Sequence, residues 1–120
     1  QKMGDINRWQ GQAKGRNRIV EHGGIVYTVA TAGAPGRNIR EQTKLALAAI
    51  DENLADVGID KTRIVSAQIF MEDIGQKPAM DEVWCDWAGD DWHNWPQRAC
   101  VGAKLAPNTL VEIVITATKA

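Results

Sequence analysis

The stretch PQRACVGAKLAPNTLVEIVITAT, residues 96–118, sets an arginine, a cysteine and a glutamate among small and apolar residues. Arg98 presents a planar fork that can receive a carboxylate through two parallel hydrogen bonds. Glu112 can take up and return a proton, and Cys100 adds a thiol two residues from the arginine. Together they could hold a small carboxylate and move protons around it. Alternation places Arg98, Cys100, Gly102 and Lys104 on one face of an extended segment, with Ala99, Val101, Ala103 and Leu105 on the other. Pro107-Asn108-Thr109 is turn chemistry. The return segment alternates Leu110, Glu112, Val114 and Thr116 against Val111, Ile113, Ile115 and Ala117. This pattern predicts a β-hairpin whose apolar rows register, so that Arg98, Cys100 and Glu112 share a face. With Lys104 opposite Leu110, Arg98 lies four residues from the partner of Glu112, about 13 Å. One hairpin would not bring both charges onto one small molecule, which points to a site shared between copies. The same spacing also fits a cross-strand ion pair on an exposed face.

Other chemistry-bearing residues give weaker patterns. Asp90, Asp91 and His93 in GDDWHNWP lack a third well-spaced metal ligand, and a solvated loop accounts for them. Cys100 has no histidine that can be placed beside it to generate a thiolate. Cys85 reads as a small core or flank residue, and His22 as an exposed turn residue. Trp84, Trp87, Trp92 and Trp95 fall within twelve residues. The first two fit a buried helix stripe, whereas Trp92 and Trp95 lie in the loop leading to Arg98, where one of them can wall a pocket. GGIVYTVATAGAPG is strand and turn, with no helix opening on its glycines as a phosphate loop requires.

The elements that must position these residues are legible in the rest of the chain. Arg16 to His22 and Ile25 to Ala32 read as two strands around Gly23-Gly24, a dipeptide that supplies the positive φ of a two-residue hairpin turn. GAPG at 33–36 ends the second. Asn38 with Glu41 fits the start of a helix and Gly58 its stop. Between them Ile39, Thr43, Ala46, Leu47, Ile50, Leu54 and Val57 form one apolar stripe, with the charged residues off it. Thr62 to Glu72 reads as an interior strand, with Val65, Ala67, Ile69 and Met71 on one side and Ile64 and Phe70 on the other. Pro78 opens a second helix whose stripe is Met80, Val83, Trp84 and Trp87, ending at Gly89. Residues 1–15 read as an extended amino-terminal arm anchored by Ile6 and Trp9, and residues 16–120 as one domain. The order β-β-α-β-α-β-β predicts an α+β sheet with two helices on one face. The other face, bearing Val114, Leu110 and Phe70, then needs a partner.

Composition narrows the function classes. A 120-residue chain with 44% apolar and 24% charged residues has the balance of one globular domain. A net charge of −1 gives no electrostatic reason to expect a nucleic-acid partner. Two cysteines are too few for a disulfide framework and predict a reduced, cytoplasmic setting. No apolar run is long enough to span a membrane, and QKMGDINRWQ lacks a signal-peptide core.

PQRACVGAKLAPNTLVEIVITA resembles the signature of the RidA/YjgF family, the enamine/imine deaminases also called L-PSP endoribonucleases, with its Arg, nearby Cys and late V-E-I strand. The resemblance continues through REQTKLALAAIDENLADVGID, RIVSAQIFMEDI and AMDEVWCDW, covering residues 18 to 117, and AMDEVWCDW is most similar to the YoaB-like branch. It implies a chorismate-mutase-like homotrimer with a central barrel and ligand sites in the clefts between subunits. It also implies hydrolysis of 2-imino or 2-enamino acids to 2-oxo acids and ammonia, without metal or cofactor. Arg98 would hold the substrate carboxylate, Glu112 would relay protons, Cys100 would line the pocket largely through its backbone, and Trp95 could wall it. The chain departs from the family pattern at Val29 and Ala30, where the deaminases carry Ser before Gly, and at Asp81, where they carry Asn. No tyrosine in the arm matches the family's pocket Tyr. These departures bear on whether 2-aminoacrylate is the preferred substrate. Two alternatives remain: a non-catalytic module that binds a small carboxylate, and an endoribonuclease, which would require a basic track for phosphates.

Overall fold

The computed structural model describes residues 4–33 and 36–120, so Gln1 to Met3 of the arm and Ala34-Pro35 of the GAPG turn lie outside the described residues. The elements run β1 (Ile6–Gln10), β2 (Asn17–His22), β3 (Ile25–Ala30), α1 (Ile39–Asp56), β4 (Ile64–Met71), α2 (Lys77–Ala88), β5 (Gln97–Gly102) and β6 (Val111–Thr118). The two α-helices lie on one face of a six-stranded sheet ordered β1-β2-β3-β6-β4-β5, the α+β arrangement expected. The β2–β3 hairpin turns at Gly23 and Gly24, with φ of 59° and 82°, as a turn with two positive-φ residues requires.

The carboxy-terminal pair is not a hairpin. β5 pairs parallel with β4, while β6 pairs antiparallel with both β3 and β4 and fills the place between them. Alternation over residues 98–102 and 111–117 and the turn at Pro107-Asn108 lie where expected, but neither specifies which strand becomes the neighbour. Every second residue of β6, from Val111 to Ala117, is buried, and such a strand is best covered in the middle of the sheet. Residues 103–110, including Lys104 and Leu105, form a crossing over the end of β4 rather than strand. The Ala103 N–H donates to the Met71 carbonyl, the Leu105 N–H to Glu72 Oε1 and the Glu72 N–H to the Leu110 carbonyl.

Three local expectations also change. Residues 6–10 of the arm form a strand antiparallel to β2, in which Trp9 packs against the core but Ile6 is exposed. A bulge between Ile64 and Ser66 turns Val65 outward and Ile64 inward, the reverse of strict alternation. Leu110 is partly buried against the core instead of lying on the open face.

Both helices follow their sequence signals. Asn38 Oδ1 accepts from the Glu41 N–H at 2.9 Å, and α1 ends where the Gly58 N–H reaches the Ala55 carbonyl and the Ile59 N–H the Leu54 carbonyl, with Gly58 at φ 83°. The predicted stripe from Ile39 to Val57 is buried throughout. In α2, Met80, Val83 and Trp84 are buried, while Trp87 is half-buried and donates its ring N–H to Asp51. The molecule measures 44 × 37 × 20 Å, and 20 Å has room for one sheet and one helix layer. The far face of the sheet, with Tyr27, Val29, Phe70, Val101 and Val114, is therefore bare in the single chain.

Gln42 is the buried polar residue that ties α1 to the crossing. Its Nε2 donates to the Asn108 carbonyl and its Oε1 accepts from the Leu110 N–H, both at 2.9 Å. Gln42→Leu removes both partners, so it should lower unfolding free energy by about 1–3 kcal/mol and speed hydrogen exchange at the Leu110 amide. An unchanged denaturation midpoint with unchanged Leu110 protection would show that the clamp is idle.

Candidate functional site

The strand exchange decides where the candidate residues point. Arg98 is registered with Ala67, a buried residue of the helix face, whereas Glu112 is registered with Phe70, three residues further along β4 and so on the opposite face. The shared face predicted from the hairpin is therefore absent. Arg98 and Cys100 lie under α2, Gly102 lies against Ile74 just before that helix, and Glu112 lies on the bare side. The apolar row of β5 is likewise reversed, with Ala99 and Val101 exposed.

Under α2, Arg98 forms one side of a cavity of about 280 Å³ lined also by Asp81, Trp84, Cys85, Ala88, Trp95 and Pro96. Its Nη2 donates to Asp81 Oδ1 at 2.6 Å, and its guanidinium carbon lies 5.2 Å from the Trp84 ring centroid. Lys77 Nζ donates to the other oxygen of Asp81 at 2.7 Å. Burial works against the Asp81 charge, yet the hydrogen bonds from Lys77 and Arg98 outweigh it and hold the carboxyl below its ordinary range. Arg98 is fixed by packing and one ion pair, and Asp81 Oδ1 is its one carboxylate partner among the described residues. Among the described residues its guanidinium makes no other hydrogen bond, and its side chain is 19% exposed.

Cys100, next along this face, packs against the core, and burial pushes its thiol up despite the nearby Arg98 and Lys77 charges. A thiol so placed is a poor nucleophile, in keeping with a lining role. Trp95 walls the cavity and anchors its ring N–H on the Gly89 carbonyl at 2.9 Å. Trp92 instead stacks on His93 at the surface, and Cys85 is an exposed flank residue. Asp91 accepts from both the backbone and the ring nitrogen of His93. Among the described residues no group of three His, Cys, Asp or Glu side chains could hold a metal ion.

On the opposite face, Glu112 lines a second cavity, about 270 Å³, with Arg16, Val29, Ala30, Thr31, Ala106 and Thr109. The predicted site residues thus divide into two sets. Arg98, Asp81 and Trp95 line one hollow, Glu112, Val29 and Ala30 line the other, and Cys100 lies beside Arg98. A further, shallower depression between α1 and the Gln10–Gln12 segment is larger, about 560 Å³, but its arginine, Arg18, is already held by Asn53 and Asp56.

Sequence reasoning missed Lys77 and treated Trp84 as simple core. The signal was present, since residues 77, 81, 84 and 88 recur at helical spacing and define a single stripe of α2 facing Arg98. Arg16 and Thr31, beside Glu112, follow no such period because they flank strands in loops.

The family model described as Endoribonuclease L-PSP matches residues 3–119. A RutC family protein of Haemophilus influenzae is 45% identical over 83 residues, spanning 68% of this chain and 70% of that one. The crystal structure of a YjgF family member from Neisseria meningitidis superposes with a TM-score of 0.89 at 35% identity, covering 99% of this chain and 98% of the other. The crystal structure of E. coli TdcF with bound serine shares the fold, with a TM-score of 0.84 at 20% identity and full coverage of both chains.

Proposed function

From the premise that this chain belongs to the RidA/YjgF family, described also as Endoribonuclease L-PSP, we propose that it is a cytoplasmic, cofactor-independent hydrolase of 2-imino and 2-enamino acids. The observation that carries the reading is the division of the charged residues between two cavities on opposite sheet faces, one with a carboxylate-receiving guanidinium and one with a proton-relaying carboxylate. A single chain cannot close them around one small molecule. A homotrimer in which the β5 edge of one subunit, beside its Arg98 cavity, meets the bare sheet face of its neighbour would set that cavity against the neighbour's Glu112 cavity. The serine held by TdcF carries the same α-carboxylate that Arg98 would take. The two free cysteines fit a reducing compartment.

The chemistry asks little beyond positioning. An enamine is first protonated at carbon, giving an iminium that is already electrophilic. Arg98 orients it through the carboxylate while Glu112 accepts a proton from a water adding to the C=N carbon. Returning that proton to nitrogen lets the C–N bond break. The hydroxyl proton passes to Glu112 as the C=O forms and ammonia leaves with the 2-oxo acid as the other product, so that Glu112 again carries the proton an enamine carbon takes up.

Two measurements test this. Light scattering should return a trimer at micromolar concentration, and a stable monomer would sink the shared site. Arg98→Ala and Glu112→Gln, each nearly inactive alone, should regain roughly a quarter of wild-type turnover when unfolded and refolded together, because one interface in four would receive both native residues. Mixed trimers with no recovered activity would show that the two residues do not act across an interface. A module that only binds small carboxylates would instead keep Arg98-dependent binding with no imine turnover in any form.

A further inference from the structure

We propose that Asp81 makes the Arg98 cavity selective for ligands carrying a cationic nitrogen beside their carboxylate, acting as the counter-charge of that nitrogen. The inference rests on the reading of Arg98 as a carboxylate anchor and goes beyond it. A guanidinium alone would accept any small carboxylate. Here it is paired at 2.6 Å with a carboxylate that lines the same cavity. A ligand bearing only negative charge must approach Arg98 within a few ångströms of Asp81 and meets repulsion there. A ligand whose nitrogen sits on the carbon next to its carboxylate can lie across the pair instead, its carboxylate on Arg98 and its N–H on Asp81, so that unlike charges alternate.

Three features suit Asp81 to this part. Each carboxylate oxygen offers more than one lone-pair direction, so the bonds from Arg98 and Lys77 leave capacity for a ligand N–H. Lys77, four residues earlier on α2, fixes the orientation of the carboxylate. Charges held this way favour an iminium over the 2-oxo product, which keeps the carboxylate but has no cationic nitrogen, and this would help the product leave. Trp84, Trp95, Pro96 and Ala88 supply an apolar wall for the side chain. The fitting class is therefore an α-amino or α-iminium acid with a medium-sized apolar side chain.

L-leucine and 4-methyl-2-oxopentanoate form a matched pair, alike in carboxylate and side chain and different in the nitrogen. Calorimetry on the wild-type protein, which needs no variant, should show leucine binding at least about tenfold tighter, the lower end for a charge-assisted hydrogen bond at a partly exposed site. Asp81→Asn keeps the shape and should abolish the preference, weakening leucine about tenfold and leaving the oxo acid unchanged or tighter. Equal wild-type affinities would overturn the proposal, as would an Asp81→Asn variant that tightens both ligands by one factor, for then Asp81 merely competes for Arg98. If neither ligand binds in an Arg98-dependent way, the carboxylate anchor itself fails and the proposal falls with it. If leucine is preferred but no imino acid is hydrolysed, the selectivity stands and the hydrolase reading alone is lost.

Discussion

Glu112→Gln is expected to slow hydrolysis of 2-imino acids by about 100- to 10,000-fold while leaving the fold, the trimer and leucine binding intact. The side chain is half-exposed on the bare face of β6, at the rim of a cavity, so the isosteric amide can occupy its place without disturbing the buried row on the other face. What disappears is the ability to accept a proton from water and return it to nitrogen. The measurement follows imino acids generated by an amino-acid oxidase, recording the decay of the imine with and without the protein, since water alone gives the same product. A variant with wild-type rate would assign Glu112 to structure and favour a purely binding role for the Arg98 cavity.

Arg98→Lys is expected to be nearly as damaging as Arg98→Ala, each lowering kcat/KM by about 100-fold or more. The guanidinium serves two partners at once: it lies over Trp84 while one nitrogen holds Asp81, and its remaining donors stay coplanar for a ligand. An ammonium is a compact charge that would settle on Asp81, where Lys77 already sits, and would present no second coplanar donor. The loss should appear in both apparent affinity and rate, because a carboxylate held by one bond no longer sets the C=N carbon against the water. If charge alone mattered, lysine would restore most of the activity. Esterified substrates give the matched control: wild type should discriminate strongly against them, and Arg98→Ala hardly at all. Equal processing of ester and free acid by wild type would remove Arg98 as the anchor.

How far the sequence could be read depended on whether the signal was local. The caps of α1, its buried stripe, the Gly23-Gly24 turn and the limits of α2 are set by residues within a few positions of one another, and each lies where the pattern put it. Strand neighbours are a different matter. Alternation states which residues of β5 share a side, but the side that faces the helices depends on its pairing with β4, thirty-one residues away. Taking β6 as the partner of β5 put Arg98 and Glu112 on one face, when insertion of β6 between β3 and β4 separates them. The register distance of about 13 Å belonged to a hairpin that does not form, and the proposed shared site rests instead on Arg98 and Glu112 lying on opposite sides of the sheet. β1 escaped detection because INRWQ has polar residues on both sides and pairs at the edge, where burial imposes little pattern.

The central placement of β6 also bears on how the chain acquires its structure. β3 and β4 run in the same direction, with a gap between them that only residues 111–118 can fill. Until those residues leave the ribosome, two strands rich in Val and Ile have unsatisfied backbone edges, and α1 lacks the Ile113 and Ile115 surface it covers. Synthesis of the first hundred residues can therefore give helices and the β2–β3 hairpin, but not a closed core. Folding must await a contact between segments far apart in the chain, which slows it and leaves a nascent intermediate with sticky edges. A stalled or truncated product ending before Val111 would be a client for chaperones or proteases, even though it already contains Arg98 and the whole of its pocket.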